Sequence, residues 1–469
     1  MPFSAANLQT LKSIVGDKGF ITDQNAIAPY LEESRGRFKG QCDVLIKPAS
    51  VQEVSEVLAI CNDENIPVVP QGGNTGHCGG AVPNGGVLLN LSRLNKIRSI
   101  DPMNATITVE AGCILQDIQI AARKAGFLFP LSLASEGTCQ IGGNLSTNAG
   151  GVQVLRYGNA RELTLGLEAV LADGQVWNGL RGLRKDNTGY DLKHMFIGAE
   201  GTLGIITSAT LKLYPLPKET VTCFVGAESV AHLMDGFSQL RDCFAGDLSA
   251  FEILPRFGLE TVCKHIHGMR DPFAQTYPWY GLIEVSTPRS NTNLRESMEE
   301  QLNQLLERDI LHDVLIAETL IQAENFWSLR ENMSEAQKHE GGSVKHDVSV
   351  PVSKVADFMN ETSHMISNIM PQARLCTFGH LGDGNIHFNI SQPVDMDKDA
   401  FLAHTKDFNE IVHEMAEKYD GSFSAEHGIG LLKTKEMETF RAGPELDMMR
   451  QIKQALDPNN ILNPGKVVG

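Results

Sequence analysis

No stretch of this sequence reaches the roughly 18 uninterrupted apolar residues that would read as a membrane span. It begins Met-Pro-Phe-Ser-Ala-Ala-Asn, with no charged leader ahead of an apolar core, so no secretory signal is expected. The nine cysteines are odd in number, and no two stand closer than Cys61 and Cys78. That excludes a zinc-type cysteine spacing and a disulfide framework. A reduced, intracellular, cytoplasmic setting is the expectation. Basic residues are outnumbered, 40 Lys and Arg against 57 Asp and Glu, for a net charge of −17. A nucleic-acid partner, which needs a basic face, is therefore not expected. There is no run of like charge, no internal repeat and no low-complexity segment.

What the chain has in quantity is glycine. Its 44 glycines cluster, which points to ligand sites lined by backbone. Pro67-Val68-Val69-Pro70 reads as a buried strand, and it delivers Gln71-Gly72-Gly73-Asn74-Thr75-Gly76-His77-Cys78-Gly79-Gly80. The exposed N–H groups of such a turn can cradle a phosphate. The glycines are misplaced for a Rossmann fingerprint, and the Lys-Ser/Thr of a Walker loop is missing. A second glycine-rich stretch runs from Gly137 and Thr138 through Gly142, Gly143, Asn144, Thr147 and Asn148 to Gly151. Two such loops together suit a large ligand carrying a pyrophosphate.

The other dense stretch is Thr377-Phe378-Gly379-His380-Leu381-Gly382-Asp383-Gly384-Asn385-Ile386-His387-Phe388-Asn389. Asp383-Gly384 is a strong two-residue hairpin turn, since both positions tolerate positive φ. A fold-back there sets Gly382 opposite Asn385 and His380 opposite His387, with opposed Cβ atoms about 4.5–5.5 Å apart. Two imidazoles so placed can grip one metal ion. Ser424-Ala425-Glu426-His427-Gly428-Ile429-Gly430 offers a carboxylate as third ligand. Two histidines and one carboxylate leave open positions for a substrate. His346, His404 and His413 have no comparable setting and read as surface or packing residues.

A chain of 469 residues predicts two or three domains. Residues 1–40 read as a helical lead-in, Val44-Leu45-Ile46 as a strand, and Ser50 with Glu53 as a capping box for a helix to about Asp63. Val87–Leu91 and Ala105–Glu110 read as strands, Ile114–Ala125 as a helix, and Gly201–Thr207 as a turn entering a strand. Glycine density falls after Pro215 and Pro217, and a domain boundary is expected there. Residues 220–415 alternate strands with amphipathic helices. One helix is expected over Ala323–Lys338, with Trp327, Arg330 and Ser334 on one face. Asp347–Val350 alternates like a strand, with Lys345 just before it.

Pro70 through Gly76, Arg184 through Lys193, Gly201 through Thr207 and His380 through His387 together resemble the FAD-dependent dehydrogenases of the vanillyl-alcohol oxidase type. The likeness is to the branch that oxidises D-2-hydroxy acids, and it covers nearly the whole chain after residue 40. The resemblance implies an α+β fold: a two-subdomain FAD-binding domain (1–218), a cap or substrate domain of mixed sheet plus helices (219–415), and a C-terminal segment (416–469) returning to the flavin. FAD would lie with its pyrophosphate on the Gly72–Gly76 and Gly142–Thr147 loops, with Gly201, Ile206 and Asn463 lining it further. It would be held without a covalent bond. Asn74 stands where some relatives attach flavin through histidine, and Cys139 where others use cysteine.

The reaction so implied converts a D-2-hydroxy acid, D-2-hydroxyglutarate first, to its 2-oxo acid by hydride transfer from C2 to flavin N5. His380, His387 and Glu426 would hold a divalent metal, zinc first, with manganese, cobalt or iron as alternatives. His427 would take the hydroxyl proton as general base and touch the substrate. Arg330, Ser334, Lys345 and Asn389 would bind its carboxylates, Arg330 in the bidentate manner of a guanidinium. The resemblance further implies an electron-transfer flavoprotein as electron acceptor, with quinone or a cytochrome as alternatives, and a homodimer is expected. A D-lactate or D-malate dehydrogenase fits the same scaffold. A flavin-binding electron carrier or sensor with a structural metal is the alternative outside catalysis; the adjacent Glu426-His427 pair argues against it.

Overall fold

The computed structural model describes residues 4–33 and 35–469, so the first three residues of the expected lead-in, and Ser34, lie outside it. The chain forms two compact units. The first comprises Met1–Gly151, Gly158–Leu216 and Glu426–Gly469, and the second Val152–Tyr157 and Pro217–Ala425. The boundary expected at 415 falls inside the helix Thr405–Lys418, and the chain returns to the first unit only at Glu426.

In the first unit a four-stranded sheet runs in the order Phe20–Ile21, Val44–Ile46, Val87–Asn90, Val68–Gln71, its last three strands parallel. The short apolar runs of these strands are buried on both faces, as parallel strands require. The helix Val51–Asp63 supplies the crossover, with Ser50 Oγ accepting the Glu53 N–H at 3.1 Å. The return half of the expected capping box lands one residue early, on the Ala49 N–H. A second, antiparallel sheet runs in the order Ile97–Asp101, Thr106–Glu110, Ile205–Lys212, Thr164–Val170, Val176–Gly179. Leu11, Val54, Leu58, Val87, Val170, Ile205 and Leu462 meet in one core, so the C-terminal residues are part of this unit's interior.

The second unit carries one sheet in the order Asp313–Ile316, Glu219–Ala227, Trp279–Thr287, Leu248–Pro255, Arg374–His380, Asn385–Ser391, Ser343–Lys345. Every pairing in it is antiparallel, where a mixed sheet was expected. The reason lies in the connection. The helix Val230–Phe244 carries the chain from Glu219–Ala227 to a strand one place away, and Trp279–Thr287 fills the gap between them in the opposite direction. One face packs on the helices Val230–Phe244, Leu294–Glu307, Val355–Ile369 and Thr405–Lys418. The other packs Phe224, Leu254, Leu282 and Phe378 against Leu259, Phe326, Leu329 and Met333.

Two expectations change here. The helix expected over Ala323–Lys338 is interrupted: Leu320–Glu331 ends at Asn332, and a short turn Met333–Ala336 follows. Ser334, beyond the break, is exposed, whereas Arg330 is buried. The hairpin turn takes four residues, Leu381 to Gly384, so His380 stands opposite Asn385 and His387 opposite Phe378. The Gly384 N–H donates to the His380 carbonyl at 3.1 Å, and Gly384 alone takes the positive φ, +83°. A slip of two residues keeps both histidines on the same face, now as diagonal neighbours.

Candidate active site

The first unit contains a cleft of about 1000 Å³ whose floor is the first glycine loop. Gln71, Gly72, Gly73, Asn74, Thr75, Gly76, Gly79 and Gly80 line it, and from the second glycine stretch Gly142, Gly143, Asn144 and Thr147. Gly201 and Ile206 complete the expected set within it. Gly137, Thr138, Asn148 and Asn463 stand outside this lining, each for a visible reason. Thr138 backs the first loop: a Cβ on Gly73 would lie 2.2 Å from its carbonyl oxygen. The Asn148 side chain accepts the Arg161 N–H at 3.0 Å. Asn463 is buried and donates to the carbonyls of Gly80 and Glu200 at 2.9 and 2.7 Å. A Cβ on Gly137 would meet the Gln116 side chain at 3.6 Å.

The cleft fits a bound cofactor on two counts. Its walls are bare backbone where the two glycine stretches approach, so a long ligand can lie against N–H groups. Two buried amide oxygens in the wall, Gln140 Oε1 and Asn144 Oδ1, have no hydrogen-bond partner among the described residues. Buried acceptors left unpaired cost stability, and a ligand's donors would satisfy them.

His427 lines the same cleft. Its ring meets that of His77 edge to face, with centroids 5.1 Å apart. The segment bearing it is tied down on both sides. The Gly151 N–H donates to Glu426 Oε1 at 2.7 Å, and the N–H groups of Ile429 and Gly430 donate to the Glu200 carboxylate at 2.6 and 2.9 Å. Gly430 has φ +53° and presses on the Cys78 carbonyl, so no side chain fits there. Burial pushes the Glu200 carboxyl above its ordinary value, and pushes the Lys466 ammonium down to about 8. Sequence reasoning missed His77, Gln140 and Glu200 as cleft residues.

In the second unit the expected polar residues share one face of the sheet. Lys345 pairs with Asn389, and Asn389 with Cys376, so Lys345, Asn389, His387, Phe378 and His380 project to the same side. The His380 and His387 rings lie 5.8 Å apart. Arg330 is buried with its guanidinium 4.7 Å over the Phe378 ring. Lys345 Nζ donates to the Ser334 carbonyl at 3.3 Å, and the Asn389 amide donates to Gln337 Oε1 at 2.8 Å.

Behind each histidine stands a buried carboxylate that sequence reasoning missed. Glu252 Oε1 bonds His380 Nδ1 at 2.8 Å, and its Oε2 accepts from Arg330 Nε at 2.8 Å. Asp347 lies 3.8 Å from His387 Nδ1 and accepts from the Asn385 amide at 2.9 Å. Burial would raise the Glu252 carboxyl, but His380 and Arg330 outweigh it and hold it below its ordinary value. A carboxylate on Nδ1 fixes the tautomer in which Nε2 carries the lone pair, an arrangement common behind metal-binding histidines. The donor set thus fits a divalent metal. Glu426 follows Ala425, whose N–H donates to the Asp347 carbonyl at 3.2 Å. His346 is buried between the Phe388 carbonyl and Asn409, and His413 is buried in the same region; both are packing residues.

A family model described as FAD binding domain matches residues 42–179, and one described as FAD linked oxidases, C-terminal domain, matches residues 216–467. A protein of Arabidopsis thaliana named D-2-hydroxyglutarate dehydrogenase, mitochondrial, is 38% identical over 97% of this chain and 80% of its own length. One of Danio rerio with the same name is 38% identical over 96% of this chain and 82% of its own. The solved structure of p-cresol methylhydroxylase with substrate bound superposes with a TM-score of 0.76 at 19% identity, covering 98% of this chain and 96% of that one. The mitochondrial names overturn the cytoplasmic expectation. Unpaired cysteines report only a reducing setting, which does not separate one intracellular compartment from another.

Proposed function

The chain belongs to the FAD-linked oxidases, as an FAD-dependent oxidoreductase on CH–OH donors, and on that premise we propose that it oxidises D-2-hydroxyglutarate to 2-oxoglutarate. The observation that carries this reading is His427 in the wall of the glycine-lined cleft. A proton acceptor in that wall is what oxidation of a hydroxyl beside a bound flavin would need. FAD, bound without a covalent link, would supply the hydride acceptor at N5. A divalent ion on His380, His387 and Glu426, zinc first and manganese or cobalt next, would lower the hydroxyl pKa of the substrate.

The protein's own residues then divide the work. His427 takes the hydroxyl proton as the hydride leaves C2, so the alcohol carbon becomes a carbonyl and no charge is stranded. Arg330 and Lys345 hold the carboxylates of a diacid, the guanidinium in two-pronged fashion. Phe378 beneath Arg330 keeps the guanidinium plane fixed before substrate arrives. The Asn389 amide is already committed to Gln337, so its part is to hold the pocket wall. Electrons would leave for an external acceptor, an electron-transfer flavoprotein or a quinone.

The test is anaerobic. Purified protein should be yellow, and D-2-hydroxyglutarate should bleach its flavin band faster than D-malate or D-lactate does. Bleaching by D-lactate alone would move the assignment to a monoacid. No bleaching by any of the three would end it.

A further inference from the structure

Glu252 lies in Leu248–Pro255, a strand whose eight residues are all buried. It is 1% exposed and is directly opposed to His380 across the sheet. Its two carboxylate oxygens are divided: Oε1 to His380 Nδ1, Oε2 to Arg330 Nε, each at 2.8 Å. We infer that Glu252 is a positioning residue that sets two functions from one anchor, the ligating tautomer of His380 and the plane of the Arg330 clamp.

The inference rests on the reading of His380 as metal ligand and Arg330 as carboxylate clamp. Its physical content is separate from that reading. A guanidinium can only donate, so whatever stands at position 252 must offer it an acceptor. An imidazole can exchange tautomers, so it adapts to whichever atom remains. With two carboxylate oxygens both demands are met at once. His380 then donates from Nδ1 and presents the Nε2 lone pair, while Arg330 is held through Nε, a contact that does not use its Nη1/Nη2 edge. Glu252 stands 78 positions from Arg330 and 128 from His380 in sequence. The carboxylate is thus the joint between a helix and a hairpin far apart in sequence.

The two demands on the carboxylate order the effects of substitution. In Glu252→Gln the amide has one oxygen, and the guanidinium claims it. The amide NH2 then faces Nδ1, which must become the acceptor, and the proton moves to Nε2. Metal affinity should fall about tenfold to a hundredfold, the usual effect of losing such a carboxylate. The preference for D-2-hydroxyglutarate over D-lactate should stay within about twofold, because Arg330 keeps its partner. In Glu252→Leu both should fall.

The experiment is zinc affinity by chelator competition on flavin-loaded protein, beside KM for the two substrates at saturating metal. FAD content and thermal midpoint serve as fold controls, and His380→Ala is run alongside. Weakened metal with intact diacid preference in Glu252→Gln supports the assignment even if Glu252→Leu does not fold. Metal affinity unchanged in Glu252→Gln, or diacid preference lost while metal is kept, overturns it. Should His380→Ala bind zinc as tightly as the wild type, the metal reading itself falls, and the role of Glu252 falls with it.

Discussion

Arg330 bonds Glu252 inside the protein and, in the function proposed, a substrate carboxylate as well. A charge-assisted contact to a substrate carboxylate is worth about 1.5–3 kcal/mol, and 1.4 kcal/mol is tenfold. Arg330→Ala should therefore lower kcat/KM for D-2-hydroxyglutarate by more than about tenfold, with a smaller loss on D-lactate; equal losses would place Arg330 at the carboxylate both substrates share. The same variant leaves Glu252 buried without its guanidinium, so its thermal midpoint should drop as well. Ser334→Ala should change neither rate nor stability measurably, because Ser334 is exposed. Steady-state kinetics and melting curves on the two variants check all of this. That His380 and His387 share one sheet face was legible in the hairpin stretch, while Arg330 and Lys345 were named from the resemblance. Glu252 and Asp347 were not legible. Each is a lone acid whose partner lies elsewhere in the chain, and only pairing across the sheet reveals that it is buried. The one signal was an acid inside a strand, Leu248–Pro255, that is apolar but for Ser249, where a charge has no reason to be unless it is paired.

The two glycine stretches show how far a local pattern can be read. Their role as one cleft's walls was visible in composition, and the strand feeding the first was visible in Pro67–Pro70. What was hidden is that they touch: Gly73 abuts the Thr138 carbonyl, so a methyl at Gly73 would collide at 2.2 Å. Gly73→Ala should force the loops apart at a cost of about 1–3 kcal/mol, typical of overpacking, and the purified variant should retain less FAD. Flavin released on heating, counted per chain, measures this; full occupancy would show that the loops yield without loss. The His380–His387 hairpin was legible as a hairpin and not in its register. Asp383-Gly384 carries the turn signal, but Leu381 is fully buried in the core and draws the turn out to four residues. The helix break at Asn332 escaped periodicity because Met333 and Ala336 continue an apolar rhythm across it.

Across the molecule, buried thiols govern behaviour at high pH. Burial pushes Cys42 and Cys113 up to about 11, and Cys61, Cys223 and Cys376 up to about 12. In the unfolded chain a thiol titrates near 8.5. Above that the unfolded state sheds protons the folded state keeps, so the stability these groups contribute is whole below about pH 8.5 and is lost as pH climbs toward 11. Lys466, depressed to about 8, pulls the other way, as do Lys212 and Lys453, which burial also lowers. Denaturation midpoints should therefore hold to about pH 8.5 and fall beyond it; a flat profile to pH 10 would contradict the burial argument. The division of labour between histidines is the centre of the account, and one paired measurement reaches it: metal content beside single-turnover flavin reduction in His380→Ala and His427→Asn. The account predicts that His380→Ala loses its metal and its turnover. His427→Asn should keep metal and FAD while reducing flavin about 10²–10⁴-fold more slowly, the range for loss of a general base. Flavin reduced at the wild-type rate in both variants would contradict it.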